Sequence, residues 1–398
     1  MTSNAAAPAG IAEIRGGIVL PPYPHDRLDA LKQVANAVPG GMIDVSVGTP
    51  VDPMPGIVIK ALVDAAAGAT GYPATIGSAV FRDAAAWWIE RRFGCVVTPA
   101  EVVAVIGTKE LVASLPRALS LRDPSRDTVL YPAAAYPTYA MGAALAGMRA
   151  VAVPVDAQWH IDLSQVSDDD ASRALVLWLN DPSNPTGAVA SPEQMAAAVA
   201  WARARGIVVA SDECYAEFTY DADGKPRAPV TALTAGNDGV LAVHSLSKRS
   251  NMAGFRAGFV AGDGDLVNYL GELRKHGGMM TPAPVQAAAA VALGDDEHVV
   301  DQQLRYARRR AKALPALEAR GLVHDGGDST FYLWLRDATE GPDARDGWAI
   351  AADLAATGLI VAPGDFYGEA GAAHVRVALT ITDDALDLVV ERLSRSLS

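Results

Sequence analysis

From Ile43 onward the sequence alternates short, uninterrupted apolar runs with Ala-rich stretches of helical length, and few folds accept that pattern. The runs are Val102–Ile106, Thr128–Tyr131, Ala150–Val155, Ala174–Leu179, Ile207–Ser211, Val240–His244 and Gly258–Ala261. Strands without a polar face need cover on both sides, as in parallel sheets. Phe81–Arg92, Tyr139–Ala146 and Pro192–Ala204 read as helices between them. The order predicts an α/β fold with a mostly parallel sheet flanked by helices. Such sheets bind ligands at the carboxyl ends of their strands, in the loops that follow.

The two ends of the chain read differently. Residues up to about Gly41 form a Pro-rich arm (Pro21, Pro22, Pro24) followed by a short helix around Leu28–Val38. After Pro284 a long helical segment, Val285–Arg320, breaks near Gly294. The strand Phe331–Leu335, the helix Trp348–Thr357, the strand His374–Leu379 and a final helix follow. Thr382 can cap that last helix, Asp383 and Asp384 suit its positive N-terminus, and Leu386, Val389, Val390 and Leu393 share one face. At 398 residues the chain exceeds one ordinary core. The expected division is a large domain over residues 46–285 and a smaller one from residues 1–45 and 286–398.

A formal net charge of -13 argues against a nucleic-acid partner. Cys95 and Cys214 lie far apart without metal-type spacing, so two free thiols in a reducing compartment are expected and no metal site. Met1–Gly10 lacks the cationic start and apolar core of a signal peptide, and no apolar run is long enough to span a bilayer. The expectation is a soluble, cytoplasmic protein.

Three short motifs carry chemistry. Ser245-Leu246-Ser247-Lys248-Arg249-Ser250, with Gly254-Phe255-Arg256-Ala257-Gly258 close behind, places a lysine among hydroxyls after an apolar strand. Its amine can form a Schiff base with an aldehyde cofactor. Ser245, Ser247 and Arg256 can hold that cofactor's phosphate. Alone, the motif is short enough to arise by chance, and a solvated Lys-Arg pair is the simpler reading.

The other two motifs are Asp181-Pro182-Ser183-Asn184-Pro185-Thr186-Gly187 and Ser211-Asp212-Glu213-Cys214-Tyr215, each after its own strand. An aspartate at a strand end can keep a pyridine nitrogen protonated. Asn184 and Tyr215 could hydrogen-bond the ring's phenolic oxygen. Separately these are a turn and a helix cap. The order Asn, Asp, Tyr, Lys, Arg, each after a strand, is hard to attribute to chance.

On these residues the sequence resembles the fold-type I aminotransferases of class I/II, which depend on pyridoxal 5′-phosphate (PLP), and the likeness runs through most of the chain. The resemblance implies that Lys248 carries PLP and shuttles the proton between Cα and the cofactor C4′. It implies Asp212 as pyridinium partner, Asn184 and Tyr215 as ligands of the phenolic oxygen, and Arg256 as a phosphate ligand. Gly107-Thr108-Lys109-Glu110, between a strand and a helix, would cradle the phosphate with backbone N–H groups. Tyr136 matches the aromatic that stacks on the ring. Arg376 matches the arginine that grips the substrate α-carboxylate with two parallel hydrogen bonds. Tyr72 resembles the tyrosine donated to the neighbouring subunit's phosphate, which makes a homodimer the expected assembly.

A finer resemblance, to the actinobacterial N-succinyldiaminopimelate aminotransferases of lysine biosynthesis, lies in Leu20–Leu28, Asp44–Pro53 and Arg274–Gln286. By it, Gly48 lies near the substrate carboxylate. Arg27, Lys275 and His276 are candidate partners for distal carboxylates, each with a surface charge as its simpler reading. By the same resemblance, the position of the second arginine of aspartate aminotransferases falls near Gly277–Gly278. Aspartate is therefore disfavoured as the donor.

Three other readings compete. A PLP-dependent C–S lyase would keep the same lysine and phosphate ligands. A PLP-binding transcriptional regulator would need a basic module ahead of Ile43, where the segment is short and not basic. A PLP-free relative is disfavoured by the five core residues.

Overall fold

The computed structural model describes residues 21–221 and 223–395. The Met1–Gly10 stretch and the start of the arm through Leu20 lie outside the described residues.

The first strand is β1 (Ile43–Asp44). Seven more, β2 (Val102–Ile106), β3 (Thr128–Pro132), β4 (Arg149–Val153), β5 (Ala174–Asn180), β6 (Val208–Asp212), β7 (Val240–Ser245) and β8 (Ala257–Gly262), form one sheet. Their order is β2-β8-β7-β6-β5-β3-β4. Neighbours pair in parallel except β8, which runs antiparallel to both β2 and β7. The sheet is thus mostly parallel, with a reversal the apolar pattern does not announce.

Side chains alternate across each strand, and both faces are covered as expected. Val102 and Ala104 pack with Phe81, Met195 and Ala288, from the helices Ala79–Phe93, Pro192–Arg203 and Ala283–Gly294. Val103 and Val105 pack on the other face with Leu115, Tyr139 and Leu270, from Thr108–Arg122, Thr138–Leu145 and Gly264–His276.

Four more short strands and β13 follow in the C-terminal part: β9 (Leu322–His324), β10 (Tyr332–Asp337), β11 (Leu359–Ile360), β12 (Ala362–Pro363) and β13 (His374–Ala378). They give an antiparallel sheet ordered β12-β13-β10-β9, while β1 pairs in parallel with β11. A separate core gathers here, with Tyr306, Leu317, Leu333, Val375 and Leu386.

The long helical segment breaks at Gly294, as expected, into Ala283–Gly294 and Glu297–Glu318. Between them the Asp295 carboxylate accepts from the Glu297 N–H at 2.9 Å. Thr382 caps the last helix, accepting from the Ala385 N–H at 3.2 Å. Among the described residues no helix is long and apolar enough to cross a membrane.

Candidate active site

A cavity of about 290 Å³ opens where β5, β6 and β7 end, roofed by residues near β10 and β13 and by the arm at Tyr23–His25. Lys248 sits on the one-turn helix Leu246–Arg249 that follows β7. Ser245 starts that turn by accepting from the Ser247 N–H at 3.1 Å. The Lys248 ammonium donates to the Gly48 carbonyl. Burial lowers its pKa, which favours the free amine a nucleophile needs.

Asp212, the last residue of β6, is buried. Its Oδ2 accepts from the Tyr139 hydroxyl at 2.8 Å and its Oδ1 from the Cys214 N–H at 3.3 Å. Burial still raises its pKa against those two bonds. A desolvated carboxylate of this kind is completed by a cation within the cavity, and a pyridinium supplies one.

Asn184 is held by its neighbour at the end of β5, its N–H donating to Asn180 Oδ1 at 2.7 Å. Its own Oδ1 accepts from Arg376 Nη1 at 2.8 Å, and Arg376 Nη2 donates to the Ser46 carbonyl at 2.6 Å. Arg376 is therefore no solvent-facing strand arginine. It is buried on β13, with its Nε unpartnered in the structure.

Gly107 and Arg256 form the opposite wall. Gly107 has φ +68° where the helix Thr108–Arg122 begins, and a Cβ there would collide with the Arg256 guanidinium. That close approach sets a cation beside a helix N-terminus, an arrangement suited to phosphate. Thr108, Ser245 and Ser247 line the same end. Gly48 is constrained likewise, since a Cβ would strike the Tyr332 hydroxyl.

The structure brings together Gly48, Thr108, Lys109, Tyr136, Asn184, Asp212, Tyr215, Ser245, Ser247, Lys248, Arg256 and Arg376. Tyr72 stands apart at 96% exposure. Lys109 differs in detail: its ammonium points to the mouth, 5.4 Å from the Tyr23 ring.

None of the candidate distal cations lines the cavity. Arg27 pairs with Asp365 at 2.9 Å and Lys275 with Glu272 at 3.3 Å. Among the lining or supporting groups that the sequence did not announce are Tyr139, Asn180, Cys214, Tyr332 and Tyr367. Tyr139 follows Tyr136 by three residues at a helix start and Asn180 ends β5, so a helical repeat and a strand end were the available signals.

Residues 41–393 match the model for aminotransferase class I and II, and the chain belongs to that family. Its members use pyridoxal phosphate, and the cavity's lysine, buried acid and anion-suited wall fit that group. The chain is 48% identical over 388 residues to a probable aminotransferase of Mycobacterium tuberculosis, covering 97% of this chain and 88% of the relative. It is 44% identical over 380 residues to the 4-dedimethylamino-4-oxo-anhydrotetracycline transaminase OxyQ of Streptomyces rimosus, covering 94% and 99%. Further relatives are named LL-diaminopimelate aminotransferase. Among solved structures, a probable N-succinyldiaminopimelate aminotransferase from Thermus thermophilus superposes with a TM-score of 0.82 at 31% identity, covering 94% of this chain and 99% of that one.

Proposed function

We propose that this aminotransferase exchanges amino groups between N-succinyl-LL-2,6-diaminopimelate and the 2-oxoglutarate/glutamate pair, in lysine (diaminopimelate) biosynthesis. The observation that carries the substrate reading is Lys109. Its ammonium stands at the cavity mouth with no carboxylate in ion-pair distance among the described residues, beside the arm that resembles the succinyl-specific enzymes. A donor whose far end bears a carboxylate would pair with it, while its α-carboxylate takes the Arg376 guanidinium. The similarity to the Thermus thermophilus protein supports the same reading.

PLP bound here supplies an electron-withdrawing ring that stabilises the substrate carbanion. Asp212 keeps the ring nitrogen protonated, and Asn184 and Tyr215 donate to the phenolic oxygen. Arg256, Ser245, Ser247 and the N–H groups at Gly107, Thr108 and Lys109 would hold the phosphate, and Tyr136 would support the ring. Lys248 would hold the cofactor through its side-chain amine, and that amine, once free, would carry the proton to and from the substrate Cα. Gly48 leaves room beside the α-carboxylate. Two half-reactions imply ping-pong kinetics.

The working assembly in this reading is a homodimer in the cytoplasm, with Tyr72 reaching the partner's phosphate. Exposed apolar side chains at Ile57, Val63, Val80 and Trp87, in the same part of the chain as Tyr72, support an interface there. In this reading the chain divides into a large domain, 46–285, and a small one, 1–45 plus 286–398; the separate core around Tyr306, Leu333 and Val375 supports a second unit, while Ala288 and Leu293, past the expected boundary, pack with the large sheet.

A donor screen with 2-oxoglutarate tests the substrate. N-succinyl-LL-2,6-diaminopimelate should show the highest kcat/KM. A higher value for LL-diaminopimelate or another amine sinks the reading. Pyruvate and ammonia released from cystathionine without any 2-oxo acid would favour a C–S lyase. Lys248→Ala should lose transamination with its fold intact, and borohydride should label Lys248 in the wild type.

A further inference from the structure

Tyr332 has no role in the reaction as proposed, yet it lies at the middle of the site. Its buried ring opens β10 beneath the Arg376 guanidinium, 4.1 Å away. Its position is fixed from several sides. Its backbone pairs opposite Ala378, its N–H donates to Thr330 Oγ1 at 3.1 Å, and its ring packs on Phe331 at 4.8 Å and Tyr215 at 5.5 Å. The hydroxyl ends 3.0 Å from the Tyr215 hydroxyl, in space that a side chain at position 48 would fill.

Two phenols joined by one hydrogen bond divide the roles: one donates and the other accepts. Tyr215, in the reading above, directs its proton to the cofactor's phenolic oxygen. Tyr332 is then left as the donor of the pair. A hydroxyl that accepts one hydrogen bond is polarised and donates the next more strongly.

We propose that Tyr332 is a positioning residue whose hydroxyl donates to Tyr215, orients that phenol and strengthens its hydrogen bond to the cofactor's phenolic oxygen. The inference rests on the role assigned to Tyr215 and adds a residue behind it. Its consequence is electrostatic. Negative charge on the phenolic oxygen holds a proton on the Lys248 nitrogen once that nitrogen is joined to the cofactor. Every donor to the oxygen weakens that hold and lowers the pH at which the proton leaves. Asp212, Cys214, Arg256, Arg376, Tyr306 and Tyr367 also face Lys248, Tyr215 or Tyr332. Deleting one hydroxyl leaves them in place, so they set the baseline and not the difference.

The test is a pH titration of the bound cofactor's visible absorbance in wild type, Tyr332→Phe, Tyr215→Phe and the double variant. Tyr332→Phe should raise the midpoint by a few tenths of a pH unit, a fraction of the worth of the Tyr215 hydrogen bond that it strengthens. Tyr215→Phe should raise it further, and adding Tyr332→Phe in that background should change nothing. An unmoved midpoint in Tyr332→Phe overturns the proposal, as does a shift that persists in full without the Tyr215 hydroxyl. If Tyr332→Phe fails to hold cofactor, 3-fluorotyrosine at position 332 serves instead. Its more acidic phenol should lower the midpoint, and a raised or unchanged midpoint refutes the role. Borohydride labelling of the wild type comes first. A missing label at Lys248 refutes the reading of the site, whereas a labelled Lys248 with an unmoved midpoint refutes only the role of Tyr332.

Discussion

Tyr139 donates a 2.8 Å hydrogen bond from its buried hydroxyl to Asp212 Oδ2, on the carboxylate that lines the cavity. The bond favours the ionised carboxylate, against the desolvation that raises its pKa. Tyr139→Phe should therefore make Asp212 harder to ionise and loosen its grip on a pyridinium. A hydrogen bond to a charged group is worth roughly 1.5–3 kcal/mol, or about ten- to a hundredfold in cofactor affinity. Titrating the apoprotein with pyridoxal phosphate checks this. An unchanged affinity would assign the work to the Cys214 N–H alone.

Arg376→Lys should act on substrate and not on cofactor. The guanidinium holds Asn184 Oδ1 and the Ser46 carbonyl through separate nitrogens, which fixes its plane for a carboxylate. Lysine keeps the charge but loses the paired geometry. The expected result is a KM for amino acid and 2-oxo acid raised about ten- to a hundredfold, with cofactor binding intact. Steady-state kinetics and the cofactor spectrum together separate the two effects.

Gly107→Ala should damage both stability and cofactor retention. Its φ of +68° disfavours any side chain, and a Cβ would displace the Arg256 guanidinium. The strain alone is worth about 1–3 kcal/mol. Urea denaturation of the apoprotein should report that loss, and Gly254→Ala, at a position open to space, should not.

Stability should also depend on pH through a buried pair beneath the sheet. Burial raises the Glu213 pKa to about 8 and lowers that of His244 to about 3, although the two side chains approach at 3.4 Å. Both are thus neutral in the fold near neutral pH. Between the unfolded value of 4.5 and about 8, folded Glu213 holds a proton that the unfolded chain gives up. Its contribution is full below that window and is lost as pH rises through it. Between about 3 and 6.5 the unfolded chain binds the extra proton at His244, so stability there rises with pH. Glu213→Gln keeps the acceptor for Thr231 and Ala232 while removing the titration. From pH 5 to pH 8 this pair should lower the unfolding free energy of the wild type, the Glu213 loss outweighing the His244 gain, whereas Glu213→Gln should keep only the His244 gain, a difference between the two proteins of on the order of a few kcal/mol.

The seven large-sheet strands were legible because each carries a short apolar run, buried on both faces in all but the edge strand β4, and their ends came within one or two residues. Val102–Ile106 is reproduced outright, whereas the run Ala150–Val155 stops at Val153. Direction was not legible. Nothing in Ala257–Gly262 states that it runs against its neighbours, because pairing is decided by the loops and the partner strands. The helix Gly56–Ala66 also went unread, since its apolar residues leave much of its surface exposed and mimic no single buried stripe.

In the site, residues with distinctive chemistry after strands were visible: Lys248, Asp212, Asn184, Tyr215. Tyr139 and Tyr332 were not, because a tyrosine acts there only through the group it touches, and that contact is made in three dimensions. Arg27 and Lys275 show the converse. Their charges suggested a ligand, and nearby carboxylates account for them.

The reversed strand β8 has a structural corollary. Ser245 pairs with Gly258, so the chain leaves one rim of the sheet with the amine-bearing turn and returns to the same rim just past Arg256. A same-direction strand would have required a crossover of a dozen or more residues, usually a helix, before coming back. Here the two cationic groups belong to a single hairpin-like excursion. An insertion or deletion within it would displace both at once, whereas changes in the remote helices would leave their mutual spacing alone.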